Sequence, residues 1–241
     1  MESKREAKLD ALIVIMDYGL NNILKDIFLK NNIPLLILTH GYGAAKSFIH
    51  EILGYGGTKK IISLSIQTKK MSHYLLQEIN KKIDLSKPGT GIAFTIKLSS
   101  ITSVLSNISQ QAEENLRIGS EDMTIKSKEP YHLIVTIVNG GYFDQVMEVA
   151  KKAGATGGTA IHARGLGSKE GMKYLGITIQ PEKDLVLIVA PSERKRAIME
   201  NILHEFGLNT PGHGICFSLP VDSVMGLGAN LENIEELNDP R

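Results

Sequence analysis

Cysteine is nearly absent from this chain: Cys216 is the only one among 241 residues. A single thiol excludes an intramolecular disulfide and fits a reducing compartment. Its place in the apolar run Ile215-Cys216-Phe217 reads as a buried spectator, since free cysteine is usually core filling. An excess of either charge is missing as well. The 27 basic and 26 acidic residues leave a formal charge of +1, so no global field draws the protein onto nucleic acid or an anionic membrane, and neither is expected as a partner. No apolar run approaches the ~20 residues that a membrane span needs. The opening Met1-Glu2-Ser3-Lys4-Arg5-Glu6-Ala7-Lys8 is too charged for a secretory signal. The expectation is a soluble, cytoplasmic protein without membrane insertion. With 42% apolar and 22% charged residues, the chain can bury one large core or two ordinary ones.

What the chain does have is one unit written twice. Leu12 to Met16 is a short apolar run that reads as a buried strand, and Leu20, Ile23, Leu24 and Ile27 then recur at helical spacing until Asn31-Asn32 and Pro34. Strands follow at 35–38 and 61–66, a helix through Leu75, Leu76, Ile79 and Ile83, and a strand at 91–98. The same order returns from Leu133: strand 133–138, a helix carrying Phe143, Val146, Met147 and Ala150, a strand through Ile161, a strand 185–190, a helix ending at Gly207, and a strand 214–219. Pro88-Gly89-Thr90-Gly91-Ile92-Ala93-Phe94 and Pro211-Gly212-His213-Gly214-Ile215-Cys216-Phe217 are near copies, and a duplication accounts for them.

The βαββαβ order predicts an α+β protein of tandem ferredoxin-like domains, with antiparallel sheets and helices on one face. The expected boundaries are a degenerate domain at 9–101, a polar linker at 102–129 with a short helix near Ala112 to Leu116, a second domain at 130–226 and a tail at 227–241. Asp222-Ser223 is expected to follow the last strand. The strands 133–138 and 185–190 do not alternate apolar with polar residues, as a sheet with one wet face would. Their second face needs a cover, and further copies of the chain in a closed oligomer would supply it.

Two glycine loops are the candidate functional stretches. Gly165-Leu166-Gly167-Ser168-Lys169-Glu170-Gly171 meets neither the dinucleotide nor the Walker pattern. It is either a plain connection or an anion-holding loop in which Arg164 and Lys169 add charge to permissive glycine backbone. Pro211-Gly212-His213-Gly214 is either turn chemistry or a place of close backbone approach to a ligand. His162 and His213 could meet at a metal, but no Cys or carboxylate joins them at ligand spacing, so no metal is expected. No nucleophile and base are argued together by spacing, so no catalytic residue is expected.

These residues resemble the P-II nitrogen-regulatory signal protein family. The stretches Gly157-Gly158-Thr159, Arg164-Gly165-Leu166-Gly167, Gly171 to Gly176 and Pro211 to Phe217 carry the likeness, over 131–224 well and over 11–101 weakly. The resemblance implies a non-enzymatic regulator. A T-loop, here 165–175, would dock on a target protein, whether enzyme, transporter or regulator. A B-loop, here 209–214, would help bind ATP or ADP between subunits of a homotrimer. The implied effector site is Arg164, Gly165, Gly167, Lys169, Pro211, Gly212, His213 and Gly214. The implied partner loop has Ser168, Glu170, Gly171 and Tyr174, and no cofactor is required beyond a nucleotide-like effector. The chain departs from the family in its shorter T-loop, the lack of a B-loop lysine and the lack of Arg-x-Arg after the last strand. Three cations that would neutralise a triphosphate are therefore missing. A ligand- or metal-binding trimer similar to divalent-cation tolerance proteins, and an enzyme on this fold, remain as alternatives.

Overall fold

Both halves of the chain form the same four-stranded arrangement. The computed structural model describes residues 8–44, 58–87, 89–116, 130–165, 173–174, 177–178 and 182–227, in two compact units.

In the first unit, β1 (Leu9–Asp17) pairs antiparallel with β4 (Gly91–Lys97), from Asp10 opposite Lys97 to Met16 opposite Gly91. With β2 (Leu36–Gly43) and β3 (Lys59–Thr68) the strand order is β2-β3-β1-β4. α1 (Asn21–Lys30) and α2 (Lys69–Ile83) bury Leu24, Ile27, Phe28, Met71, Leu75, Leu76 and Ile79 against Leu12, Val14 and Met16 of β1. Their apolar residues recur every three or four positions, so one stripe of each helix faces the sheet. Thr68 starts α2 by accepting a hydrogen bond from the Met71 amide at 3.2 Å, and Asp84 ends it in the left-handed region with φ 50°.

Two expectations need correction in this unit. The segment expected as a linker carries α3 (Ser103–Asn115), which buries Ser109 and Ala112 and packs Ala112 into the first core. Its buried residues are small or polar, so hydropathy alone does not mark the face. Asp222-Ser223 is not a tail either. β11 (Ser223–Met225) adds to β4 antiparallel, Ser223 opposite Thr95, and Asp222 bridges Lys69 at 2.8 Å and Lys97 at 2.5 Å.

In the second unit, β5 (Tyr131–Asn139) and β6 (Thr159–Arg164) flank β9 (Glu182–Pro191), both antiparallel to it, and β10 (Ile215–Val221) lies beyond β5. The order β10-β5-β9-β6 matches that of the first unit strand for strand. α4 (Phe143–Lys152) and α5 (Ser192–Phe206) bury Val146, Met147, Ala150, Ile198 and Ile202 against Ile134, Val138, Val186 and Ile188. At Gly158 a Cβ would lie 2.5 Å from Sδ of Met147, so a larger residue where the chain enters β6 would push the end of that side chain aside. A short antiparallel pair, β7 (Lys173–Tyr174) and β8 (Ile177–Thr178), stands in the connection between β6 and β9.

The units are not successive stretches of sequence. The first gathers the described residues of Met1–Thr39, Ile61–Lys128 and Val221–Arg241, and the second those of His40–Lys60 and Glu129–Pro220. The far end of β2 is therefore part of the second unit: Tyr42 and Gly43 pair antiparallel with Ala160 and Thr159 of β6. β6 would otherwise present an unpaired edge there. The periodicity of the repeats marks the elements but not which strands pair.

Beside the Asp222 bridges, Asp10 is wholly buried and neither carboxylate oxygen has a hydrogen-bond partner among the described residues. Burial pushes its carboxyl up to about 6 and Asp222 adds to this, while Lys69 and Lys97 oppose it. For Asp222 itself burial also acts upward, but its bonds to Lys69 and Lys97 outweigh that and hold it below the usual carboxylate range. A raised Asp10 stabilises the fold in its protonated form. That contribution is complete below about pH 4 and is lost as pH rises through 6, on the order of 3 kcal/mol for one such group. Asp222 acts in the opposite sense. Asp10→Asn is expected to unfold at higher urea than the parent at pH 7.5 and to differ little from it below pH 4. Equal midpoints at pH 7.5 would contradict the account.

Candidate functional site

Gly165, the one described residue of the first glycine stretch, and the Pro211–Gly214 turn lie at one end of the second unit's sheet. Arg164 is the last residue of β6, opposite Glu182 at the start of β9, and Gly165 follows it. A Cβ on Gly165 would lie 3.0 Å from Cγ of Lys183, so the lysine stem packs along the bare backbone. Pro211–Gly214 forms the turn into β10. β9 stands between β6 and β5, so the turn, clipped to the end of β5, is roughly two strand spacings or ~10 Å from Arg164.

The clip is made by Asn139. Its backbone N–H donates to the Gly212 carbonyl at 2.9 Å, and its side-chain Nδ2 donates to the Pro211 carbonyl at 2.8 Å. Lys183 Nζ donates to Asn139 Oδ1 at 2.6 Å, so this residue connects the strand beside Arg164 to the turn. From the other side the Gly214 N–H donates to the Phe206 carbonyl at 2.7 Å. A Cβ on Gly214 would lie 2.2 Å from that same oxygen, so glycine is obligatory here by space. His213 takes φ 44°, and its Nδ1 lies 2.9 Å from the Leu208 carbonyl. The turn in the first unit is held in a similar way, with the Asp17 N–H donating to the Thr90 carbonyl at 3.0 Å. There the Asp17 side chain turns to the Gly19 N–H instead, and the second clip is missing.

Asp184 anchors the same end of the sheet. It is 1% exposed, accepts from the Gly141 N–H at 2.8 Å through Oδ2, and lies 2.8 Å from His162 Nδ1 through Oδ1. Tyr42 stands against the His162 ring, centroids 5.4 Å apart and planes at 50°. His162, Ala163, Arg164 and Glu182 line an open groove of about 410 Å³. Arg164 makes no ion pair among the described residues.

Of the effector residues expected from sequence, Arg164, Gly165, Pro211, Gly212, His213 and Gly214 share this end of the sheet. Gly167 and Lys169 lie outside the described residues, as do Ser168, Glu170 and Gly171 of the expected partner loop. Tyr174 belongs to β7. His162 and His213 are not brought together, each being engaged with a different group. Among the described residues no cluster of three or more His, Cys, Asp or Glu is placed for a metal. Cys216 is half-buried, with burial pushing its thiol up and the Thr136 hydroxyl bond opposing this. The residues that sequence reading passed over are Asn139, Lys183, Asp184 and Tyr42. The charged triplet Glu182-Lys183-Asp184 at the head of an apolar strand is a signal that points at Lys183 and Asp184.

The second unit is thus a ferredoxin-like α+β sandwich with a clipped glycine turn and a basic loop root at one sheet end. Residues 131–228 match the family described as nitrogen regulatory protein P-II. No curated protein matches the chain. Among solved structures, a PII-like signaling protein from Thermus thermophilus shares 20% identity over 39% of this chain and 88% of its own, with a TM-score of 0.31. CPII bound to ADP and bicarbonate, from Thiomonas intermedia, shares 21% over 39% and 89%, with a TM-score of 0.30. At such identities and scores the family statement rests on the sequence match.

The turn's anatomy sets an order of mutational cost. Gly214→Ala forces a methyl into the Phe206 carbonyl and is expected to cost ~2–3 kcal/mol in urea unfolding. Asn139→Ala loses two side-chain bonds, to Pro211 and from Lys183, at a half-buried position and is expected to cost about 1–2 kcal/mol, with faster amide exchange at Gly214. The reverse order would mean the turn hangs on Asn139 and not on the close approach.

Proposed function

We propose that the chain is a P-II-type signalling regulator, a non-catalytic protein whose second unit binds a nucleotide such as ADP or ATP. Binding would bias the 165–175 loop toward or away from a target protein, an enzyme, transporter or regulator, within nitrogen regulation or a related circuit. The observation that carries this reading is the P-II match over a unit in which Gly165, the clipped 211–214 turn and an Arg164 with no ion pair among the described residues share one sheet end. Backbone N–H groups beside glycine and such a guanidinium suit phosphate oxygens. The first unit has the same strand order and serves as a degenerate P-II-like copy. No described helix is long and apolar enough to cross a membrane, and a cytoplasmic place is part of the reading.

The same proposal includes a homotrimer. Ile215 and Phe217 are each 44% exposed and Leu219 37%. They follow one another at every second position of β10, while Cys216 between them packs into the helix-covered core. Such a row belongs to the helix-free face, and a further copy of the chain would cover it.

Titration calorimetry with ADP and ATP tests the ligand. Micromolar binding by the parent is expected, weakened ten- to a hundredfold in Arg164→Ala, the scale of one charge-assisted contact. Equal affinity in the variant removes the site, and ATP turnover abolished by Arg164→Ala replaces the regulator with an enzyme. Light scattering at micromolar concentration is expected to give three chains; a stable monomer contradicts the trimer.

A further inference from the structure

We propose that His162 is a proton-coupled contact for the phosphate of the effector in the groove beside Arg164, an inference that rests on the nucleotide reading above. The His162 side chain is 68% exposed although its Nδ1 lies 2.8 Å from the buried Asp184 carboxylate. An ionised carboxylate only accepts, so Nδ1 carries a proton and Nε2 is the nitrogen left for a ligand. Asp184 is itself fixed by the Gly141 N–H, so the ring is oriented before any ligand arrives. Arg164, two residues further along β6, borders the same groove with no ion-pair partner among the described residues. Two donors of this kind, a fixed imidazole and a guanidinium, suit a phosphate group.

A neutral imidazole would offer the phosphate a lone pair, and acceptor would meet acceptor. The ring must take a proton on Nε2 to donate to the phosphate oxygen while Nδ1–H continues to donate to Asp184. Negative charge before and behind the ring favours that form. The facing groups can be named strand by strand. From β9, Asp184 engages Nδ1 and Glu182 borders the groove, where it repels the anion. From β6, Arg164 opposes the charged ring and attracts the anion. From β2 come the Tyr42 ring, 5.4 Å from that of His162, and His40 two residues earlier. The net effect is that phosphate binding takes up a proton from solution.

The Tyr42 wall explains a motif otherwise without a role. His40-Gly41-Tyr42-Gly43 is the first repeat's counterpart of the loop root at Arg164, and it pairs onto β6 through Tyr42 and Gly43. Through Tyr42 that stretch backs the ring of His162, one of the residues lining the groove.

Calorimetry with ADP in two buffers of different ionisation heat, between pH 6 and 8, tests the proposal. The parent is expected to take up protons on binding and to bind more tightly as pH falls. His162→Gln is expected to bind about tenfold more weakly with no proton uptake, and to melt below the parent because Asp184 Oδ1 loses the ring donor. Arg164→Ala should weaken binding yet keep the uptake, and Glu182→Gln should tighten it. Proton-neutral binding by the parent, or unaltered uptake in His162→Gln, overturns the proposal. Should ADP not bind at all, the nucleotide reading fails separately. Titration of inorganic phosphate against the imidazole resonances then decides: a His162 response supports the contact, and its absence overturns it.

Discussion

The buried carboxylate of Asp184 is the constraint on which the functional end of the second unit depends. A charge nearly out of water is tolerable only when its oxygens are met by donors. Here each oxygen has one: the Gly141 N–H on Oδ2 and the His162 ring on Oδ1. Those two bonds tie the start of β9 to the turn that leads into α4 and to the end of β6. The next residue back, Lys183, reaches Asn139 and through it the 211–214 turn. Side chains of consecutive strand residues leave on opposite faces, so Lys183 and Asp184 together hold both sides of the sheet end.

The first unit has the same strand order but places its buried charge at the opposite end. Asp10 lies near the start of β1 and Lys97 opposite it at the end of β4, where Asp222 and Lys69 join them. At the end equivalent to the candidate site, the Asp17 side chain serves only the local Gly19 turn. The repeats therefore share backbone geometry and differ in where polar groups are buried. Stability in the first unit depends on anchoring the returning segment at Asp222 and β11, whereas in the second unit the buried pair orients residues that face a groove.

Strands, helices and their order were legible because the apolar runs and helical spacings are strong, and Leu12 to Met16 or Leu185 to Ala190 admit few alternatives. The glycine turn before β10 was legible too, through its near copy at Pro88. Its physical basis was not, because the 2.2 Å approach of a Gly214 Cβ to the Phe206 carbonyl depends on how α5 ends. Of α3 only a short helix near Ala112 to Leu116 was expected, because the full helix buries Ser109 and Ala112 where the usual signal is leucine. The interleaved units, the Asp222 bridges and the Tyr42 wall involve residues more than a hundred positions apart, and no local pattern encodes such pairings. Lys183 and Asp184 were visible as charges but not as partners, since alternation along a strand says which face a residue takes and not what awaits it there.

The interleaving bears on how the end of β6 beside the groove is paired. A strand edge must be paired, covered or charged, and in the second unit the edge of β6 is met by Tyr42 and Gly43 at the far end of β2. The residues that do this are the first repeat's own loop root, so they cannot also frame an open groove beside β2. Ala44 is drawn in by the same contact: its N–H donates to the Gly158 carbonyl at 2.9 Å and its side chain joins the second core. A paired edge for β6 and a neighbour for the His162 ring are, on this geometry, two results of one strand pairing.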